Sequence, residues 1–258
     1  MIPIKDENPV SSTPVVTIVL IAINILVFLT EPLFASGPDA RFQEARYFVC
    51  KAAVPYEVTH GERIADARVR GVEFEERIDN IFAEIERREC PRKNVWLSIL
   101  VSMFLHGSIL HIAGNMLFLW VFGNNVEDRL GKPKFVAFYL LSGIAATYAQ
   151  SYVFPSSATP LVGASGAIAG ILGAYLLMFP RARIRTLVIL VIFITMIDLP
   201  AMVVIGLWFV LQLVSGVGSV AADTGVAYMA HVGGFLAGMI LLLVFRPKPR
   251  EAPMALPY

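Results

Sequence analysis

Charge is what this chain has least of. Only 16% of its 258 residues are Asp, Glu, Lys or Arg, whereas 57% are hydrophobic. Soluble domains carry about a quarter charged residues, so the deficit excludes an ordinary water-soluble globule. The net charge is +1, which leaves no basic surplus to neutralise phosphates and excludes nucleic acid as a partner. There is no His-Glu-x-x-His, and no carboxylate lies close in sequence to His111 or His231; a zinc site is therefore not expected, and no other cofactor is implied. Paired aspartates within apolar stretches are missing too, which removes an aspartyl protease. So are a charged path or a repeat between halves, which a transporter or channel would carry. Cysteine is scarce, with Cys50 and Cys90 the only two.

What is present is length without charge. Residues 8–30, 94–126, 135–180, 199–222 and 224–245 contain no Asp, Glu, Lys or Arg. A spanning helix needs about 20 mainly apolar residues, and 135–180 is long enough for two. The expectation is an all-α integral membrane bundle with six spans, at 15–33, 108–123, 134–153, 164–179, 201–217 and 226–245. The first run has no small-residue cleavage signature close behind it and reads as a retained helix. Arg129, Lys132 and Lys134, then Arg181, Arg183 and Arg185, then Arg246, Lys248 and Arg250 follow the even-numbered spans. The positive-inside rule then puts both termini in the cytoplasm, most simply of a bacterial plasma membrane. Four regions result: 1–34 with the first span, an extracytoplasmic polar loop at 35–94, a core at 95–246 and a tail at 247–258.

Within the loop, Phe74, Ile78, Ile81, Phe82 and Ile85 recur at helical spacing and predict an amphipathic surface helix of about 15 residues. Residues 95–105 are apolar but too short to span and read as an in-plane or re-entrant piece. The apolar run 184–199 ends in Asp198 and Pro200 and reads as an interfacial segment rather than a seventh span. Both cysteines fall in the outside loop. They either pair and staple the ends of the insertion or stay free, since sequence carries no geometry.

In this topology the second, fourth and sixth spans enter from one side. His111 and Asn115 are four apart on one face of the second; Ser165 opens the fourth, and His231 lies in the second turn of the sixth. Polar groups inside a membrane are costly and usually face a polar cavity. Gly166, Gly170 and Ala174, and Ala230, Gly234 and Gly238, form small-residue stripes that let two helices approach closely. That approach brings a serine hydroxyl within reach of an imidazole, as a base-activated nucleophile requires. The serine also sits at a helix N-terminus, where free N–H groups favour a developing oxyanion.

At these residues the chain resembles the rhomboid intramembrane serine proteases. The match comprises His111-Ile-Ala-Gly-Asn115, Glu127-Asp-Arg129-Leu-Gly131, Gly163-Ala-Ser165-Gly166 and Ala230-His231-Val-Gly-Gly234-Phe-Leu-Ala-Gly238, in the family's order across 95–245. The resemblance implies Ser165 as nucleophile and His231 as general base, with no third acid. It implies an oxyanion site from Asn115, His111, Gly163 and the Ser165 backbone N–H. Glu127 and Arg129 match a structural loop motif, and the fifth span becomes the expected gate. Expected substrates are single-span membrane proteins met in the lipid bilayer; the alternative is a silent relative that only binds transmembrane clients. Ala169 stands where some relatives carry an aromatic ring that stacks on the histidine, so His231 must be held another way, for which tight packing of the fourth and sixth spans is the expectation.

Overall fold

A computed structural model describes residues 1–34, 36–74, 77–190, 193–219, 226–247 and 249; most of the 247–258 tail lies outside them. Its elements run β1 (Ile2–Asp6), α1 (Val15–Phe28), α2 (Ala40–Lys51), α3 (Pro55–His60), α4 (Ile64–Val69), α5 (Arg77–Glu89), α6 (Val95–Ser102), α7 (Ile109–Leu130), α8 (Lys132–Val153), α9 (Ser165–Met178), β2 (Arg183–Leu190), β3 (Phe193–Pro200), α10 (Ala201–Ser219) and α11 (Tyr228–Phe245). Residues 109–130, 201–218 and 228–245 are long and apolar enough to cross a membrane. The 14-residue α1 and α9 are apolar but shorter, and the 22-residue α8 has the length without matching their apolarity. Length and composition thus mark three of the six expected spans.

The helix ends follow from local chemistry. Ser108 caps α7, its hydroxyl accepting from the His111 N–H, and Gly131 closes it with φ 78°. Pro133 in the first turn of α8 gives up only an N–H that has no intrahelical partner. Glu127 supplies the N-terminus of α1 with acceptors: its carboxylate takes the N–H groups of Val16 and Thr17 at 2.9 and 2.7 Å and the Thr17 hydroxyl at 2.8 Å. That is the structural role expected for the loop motif. Leu119, Phe122, Phe135, Phe138, Tyr139, Ile171, Leu172 and Tyr175 fill the core between the helices. Outside it, Leu207, Val210, Leu211, Val214 and Val217 of α10 are exposed. In water that face would be an aggregation surface; hydrocarbon is its natural solvent.

Two expectations are corrected. The chain is mostly but not all helical. The interfacial segment expected at 184–199 contains no seventh helical span among the described residues: β2 pairs antiparallel with β3, and the N-terminal β1 extends them into a three-stranded sheet ordered β1-β2-β3. Its β-branched run, Ile184, Thr186, Val188 and Ile189, suits a pleated strand better than a helix. The second concerns α5. Phe74 and Ile85 are buried, but Ile78 and Ile81 are exposed. Asp79, Ala83 and Glu86 face inward instead, because the two carboxylates accept the buried N–H groups of Ala158 and Ala65.

The 40–93 region is a small helical unit with its own core of Val54, Tyr56, Ile64, Ala67, Phe74 and Ala83. The open question of the cysteines resolves: Cys50 and Cys90 form a disulfide, Cα–Cα 5.2 Å, joining the ends of α2 and α5. Lys93 is buried between Glu57 and Glu86, at 2.6 and 3.1 Å. Burial holds the Glu57 carboxyl well above the usual carboxylate range, at about 8, partly offset by the Lys93 charge.

Candidate active site

The site begins with glycines. A Cβ at Gly234 would overlap the carbonyl oxygen of Gly166, and one at Gly238 that of Gly170. The expected stripes of α9 and α11 are therefore in backbone contact, and on the other side Gly166 and Gly170 leave no room beside Ala146 and Ser142 of α8. At the mouth of this seam the Ser165 hydroxyl and His231 Nε2 lie 2.7 Å apart. Both residues are half-buried. That is hydrogen-bond distance for proton transfer from a hydroxyl to an imidazole.

Gly163 positions the turn before the serine. Its φ of +125° is a conformation side chains rarely adopt. A Cβ there would also meet His111 Nε2 at 2.8 Å and Ser165 Oγ at 3.4 Å. His111 is thereby placed beside Gly163, its ring edge-to-face with the buried His106 at 5.1 Å. His106 lies in the loop before α7 and is fully buried. Asn115 is 8% exposed, and its Nδ2 has no hydrogen-bond partner among the described residues. An unmet buried amide donor is unusual. Asn115, His111, Ser165 and His231 line one cavity of about 1040 Å³. The structure thus brings together every expected site residue, with Gly163 at its rim.

The sequence reading missed two features. The first is Gln212 of α10, whose Oε1 lies 2.7 Å from His231 Nδ1. Trp208 and Tyr228 flank the same imidazole, with ring centroids 6.0 and 6.3 Å away. Ala169, by contrast, is buried in the core. Packing of α9 on α11 sets the helix spacing, but the partners at the imidazole come from α10 and the first turn of α11. A signal existed: Gln212 is the sole carboxamide in the apolar stretch 201–217, and polar side chains in such stretches mark sites.

The second is the part taken by the insertion. Leu161 N–H donates to the Ala53 carbonyl at 2.8 Å, Tyr56 N–H to Ser157 at 3.0 Å, and the Thr59 hydroxyl to Pro155 at 3.2 Å. Asp79 accepts from Ala158 N–H at 2.9 Å and from the Thr159 hydroxyl at 3.3 Å. Ser102 joins both sides, its hydroxyl taking the Ala53 N–H and its carbonyl the Gly163 N–H. The 154–163 loop that leads into Ser165 is therefore held by the 40–93 unit, and Pro55 and Asp79 line the cavity. Sequence alone leaves these ties unseen because they join segments far apart in the chain, through backbone groups and single polar side chains that follow no local pattern.

Fold and site define an integral membrane helical protein with a serine–histidine pair beside a cavity. Residues 93–248 match the Rhomboid domain, and the chain belongs to the rhomboid family. It is 32% identical to rhomboid protein 1, mitochondrial, of Saccharomyces cerevisiae over 56% of this chain and 40% of that protein. Against presenilin-associated rhomboid-like protein A, mitochondrial, of Danio rerio the identity is 35%, over 37% and 26%. Against the rhomboid protease GluP of Bacillus subtilis it is 46%, over 31% and 15%. The matches thus cover well under half of each relative's length. With mitochondrial proteins prominent among these relatives, the expectation of a bacterial plasma membrane is not supported.

Proposed function

We propose that the chain is an intramembrane serine endopeptidase that cleaves single-span membrane proteins through Ser165 and His231. The observation that carries the reading is the 2.7 Å approach of Ser165 Oγ to His231 Nε2 in a cavity that also holds the unmet amide of Asn115. Six helices, α1 and α7 to α11, cross the bilayer, with both termini on the cytoplasmic side and the 40–93 unit outside. In the reaction Ser165 Oγ attacks the scissile carbonyl carbon while its proton passes to Nε2. The carbonyl π-electrons move onto oxygen, and the oxyanion takes hydrogen bonds from Asn115 Nδ2, His111 and the Ser165 N–H, with Gly163 leaving room for it. Collapse breaks the C–N bond, and the leaving amine takes the proton from Nε2. Water, deprotonated by the same nitrogen, then hydrolyses the acyl ester and restores the serine.

A helix cannot present a carbonyl while its own hydrogen bonds are intact. Substrates are therefore spans whose outer turn unwinds easily, through small or helix-breaking residues, and α10 is the side through which they enter. Two things support this reading beyond the geometry: family membership, and the name of one relative as a protease. The test is labelling of detergent-purified protein with a fluorophosphonate probe. Wild type should label, whereas Ser165→Ala and His231→Ala should not. Folded wild type that stays unlabelled would turn the reading to a silent relative that binds transmembrane clients.

A further inference from the structure

We infer that Gln212 is the positioning residue of the histidine, fixing which imidazole nitrogen is free to act as the base; this rests on the Ser165–His231 reading above. A neutral imidazole carries one proton on either ring nitrogen, and the hydrogen bond made by the other nitrogen decides which. Here the contact at Nδ1 is a carboxamide oxygen, Gln212 Oε1 at 2.7 Å. An oxygen only accepts, so Nδ1 holds the proton and Nε2 offers its lone pair to Ser165, 2.7 Å away. The opposite tautomer would make Nε2 a donor and leave the serine without a base. Trp208 and Tyr228 limit how far the ring tilts, but aromatic faces do not select a tautomer. Gln212 does both.

Its location adds a consequence. Gln212 sits on α10, whose residues 201–218 are only 22% buried. The acceptor thus comes from a different helix than the imidazole, which stands on α11. The hydrogen bond at Nδ1 therefore exists only where α10 and α11 are packed together at this point. No carboxylate is needed for this device, and none lies in α10 or α11.

The experiment has two arms. In the first, Gln212→Leu and Gln212→Glu are compared with wild type on a transmembrane substrate. Leucine keeps the bulk and removes the acceptor, so kcat should fall about tenfold to hundredfold, a share of what general-base catalysis contributes, with KM unchanged. Glutamate keeps an acceptor oxygen and should restore most of that loss. A wild-type kcat for Gln212→Leu, or an equal fall for Gln212→Glu, overturns the inference. The second arm needs neither turnover nor the leucine variant. In 15N-histidine-labelled Ser165→Ala protein, Gln212 is the one hydrogen-bond partner left at the imidazole among the described residues, and two-bond 15N–1H correlations report the tautomer. The His231 signal, assigned by its loss on adding His231→Gln, should be the Nδ1–H form. The Nε2–H form would refute the inference even in a protein that cleaves substrate. Absent probe labelling together with the Nδ1–H form would refute only the protease reading.

Discussion

Removing the Asp79 carboxylate should loosen the loop in front of Ser165 while leaving the helices around it alone. Asp79 is 4% exposed and Ala158 0%, so the Ala158 N–H has no water to turn to when the acceptor is truncated. A buried donor left unmet costs about 1–3 kcal/mol, and a bond to a charged acceptor contributes about 1.5–3 kcal/mol. The Thr159 bond, longer at 3.3 Å, adds less. Three further ties remain, from Ala53 to Leu161, Tyr56 to Ser157 and Thr59 to Pro155. The loop therefore stays in place in Asp79→Ala but opens more easily, by about 2 kcal/mol, or roughly 30-fold in the opening equilibrium.

Amide hydrogen exchange read by mass spectrometry measures that directly. In detergent-solubilised Asp79→Ala, the amides of Ala158, Thr159 and Leu161 should exchange roughly 30-fold faster than in wild type, with peptides from α9 and α11 unchanged. Asp79→Asn keeps one acceptor oxygen and should stay within about fivefold. Exchange within twofold of wild type across 157–161 in Asp79→Ala would refute the reasoning. Acceleration spread equally over the 40–93 unit would refute it differently, by showing that Asp79 holds the unit's own fold rather than the loop.

Other perturbations separate the remaining parts. Gly163→Ala forces a side chain into φ +125° and against His111; strain of about 1–3 kcal/mol at the site should lower kcat/KM by about 5–150-fold, and unchanged kinetics would contradict the geometry. Reduction, or Cys50→Ser with Cys90→Ser, releases a closure of 40 residues and should destabilise the 40–93 unit by about 4 kcal/mol in the chain-entropy model, seen as faster exchange there but not in α9. Glu57, with its carboxyl raised to about 8 by burial, binds a proton in the folded unit that the unfolded chain releases above its ordinary value near 4.5. Its contribution is complete below that pH and is lost as pH rises through about 8, so stability of the unit should fall by up to about 1.4 kcal/mol per pH unit in that window, and Glu57→Gln should flatten the profile.

Much of the site was legible because the residues that build it are constrained by composition. Ser165, His231, Asn115 and His111 stand out as polar groups in charge-free stretches, and the Gly166–Gly170 and Gly234–Gly238 stripes point to one helix contact. The β2–β3 pair was not legible as strands. In an apolar chain a continuous run such as 184–199 carries no alternation to separate a strand from a buried helix. The face of α5 was misjudged for the opposite reason: hydrophobic periodicity assumes that carboxylates point outward. Asp79 and Glu86 point inward because backbone N–H groups of other segments await them, and no local pattern records that.

The two missed features share a cause and bear on each other. Gln212 and the 154–163 loop both bear on the serine–histidine pair through partners remote in sequence, Gln212 on His231 and the loop on Ser165. Neither belongs to the tightly packed α9–α11 seam. The glycine contacts fix that seam, so the spacing between Ser165 and His231 is set by backbone and changes little. Around it stand, on one side, α10 carrying the acceptor for Nδ1 and, on the other, a loop held from the 40–93 unit. If the protease reading is right, removing Gln212 and loosening the loop should lower turnover by independent factors. In the double variant Asp79→Ala, Gln212→Leu the two effects on kcat/KM should then multiply, with no coupling beyond about 0.5 kcal/mol. A larger coupling would mean that loop and α10 move as one body, and the rigid seam would no longer separate them.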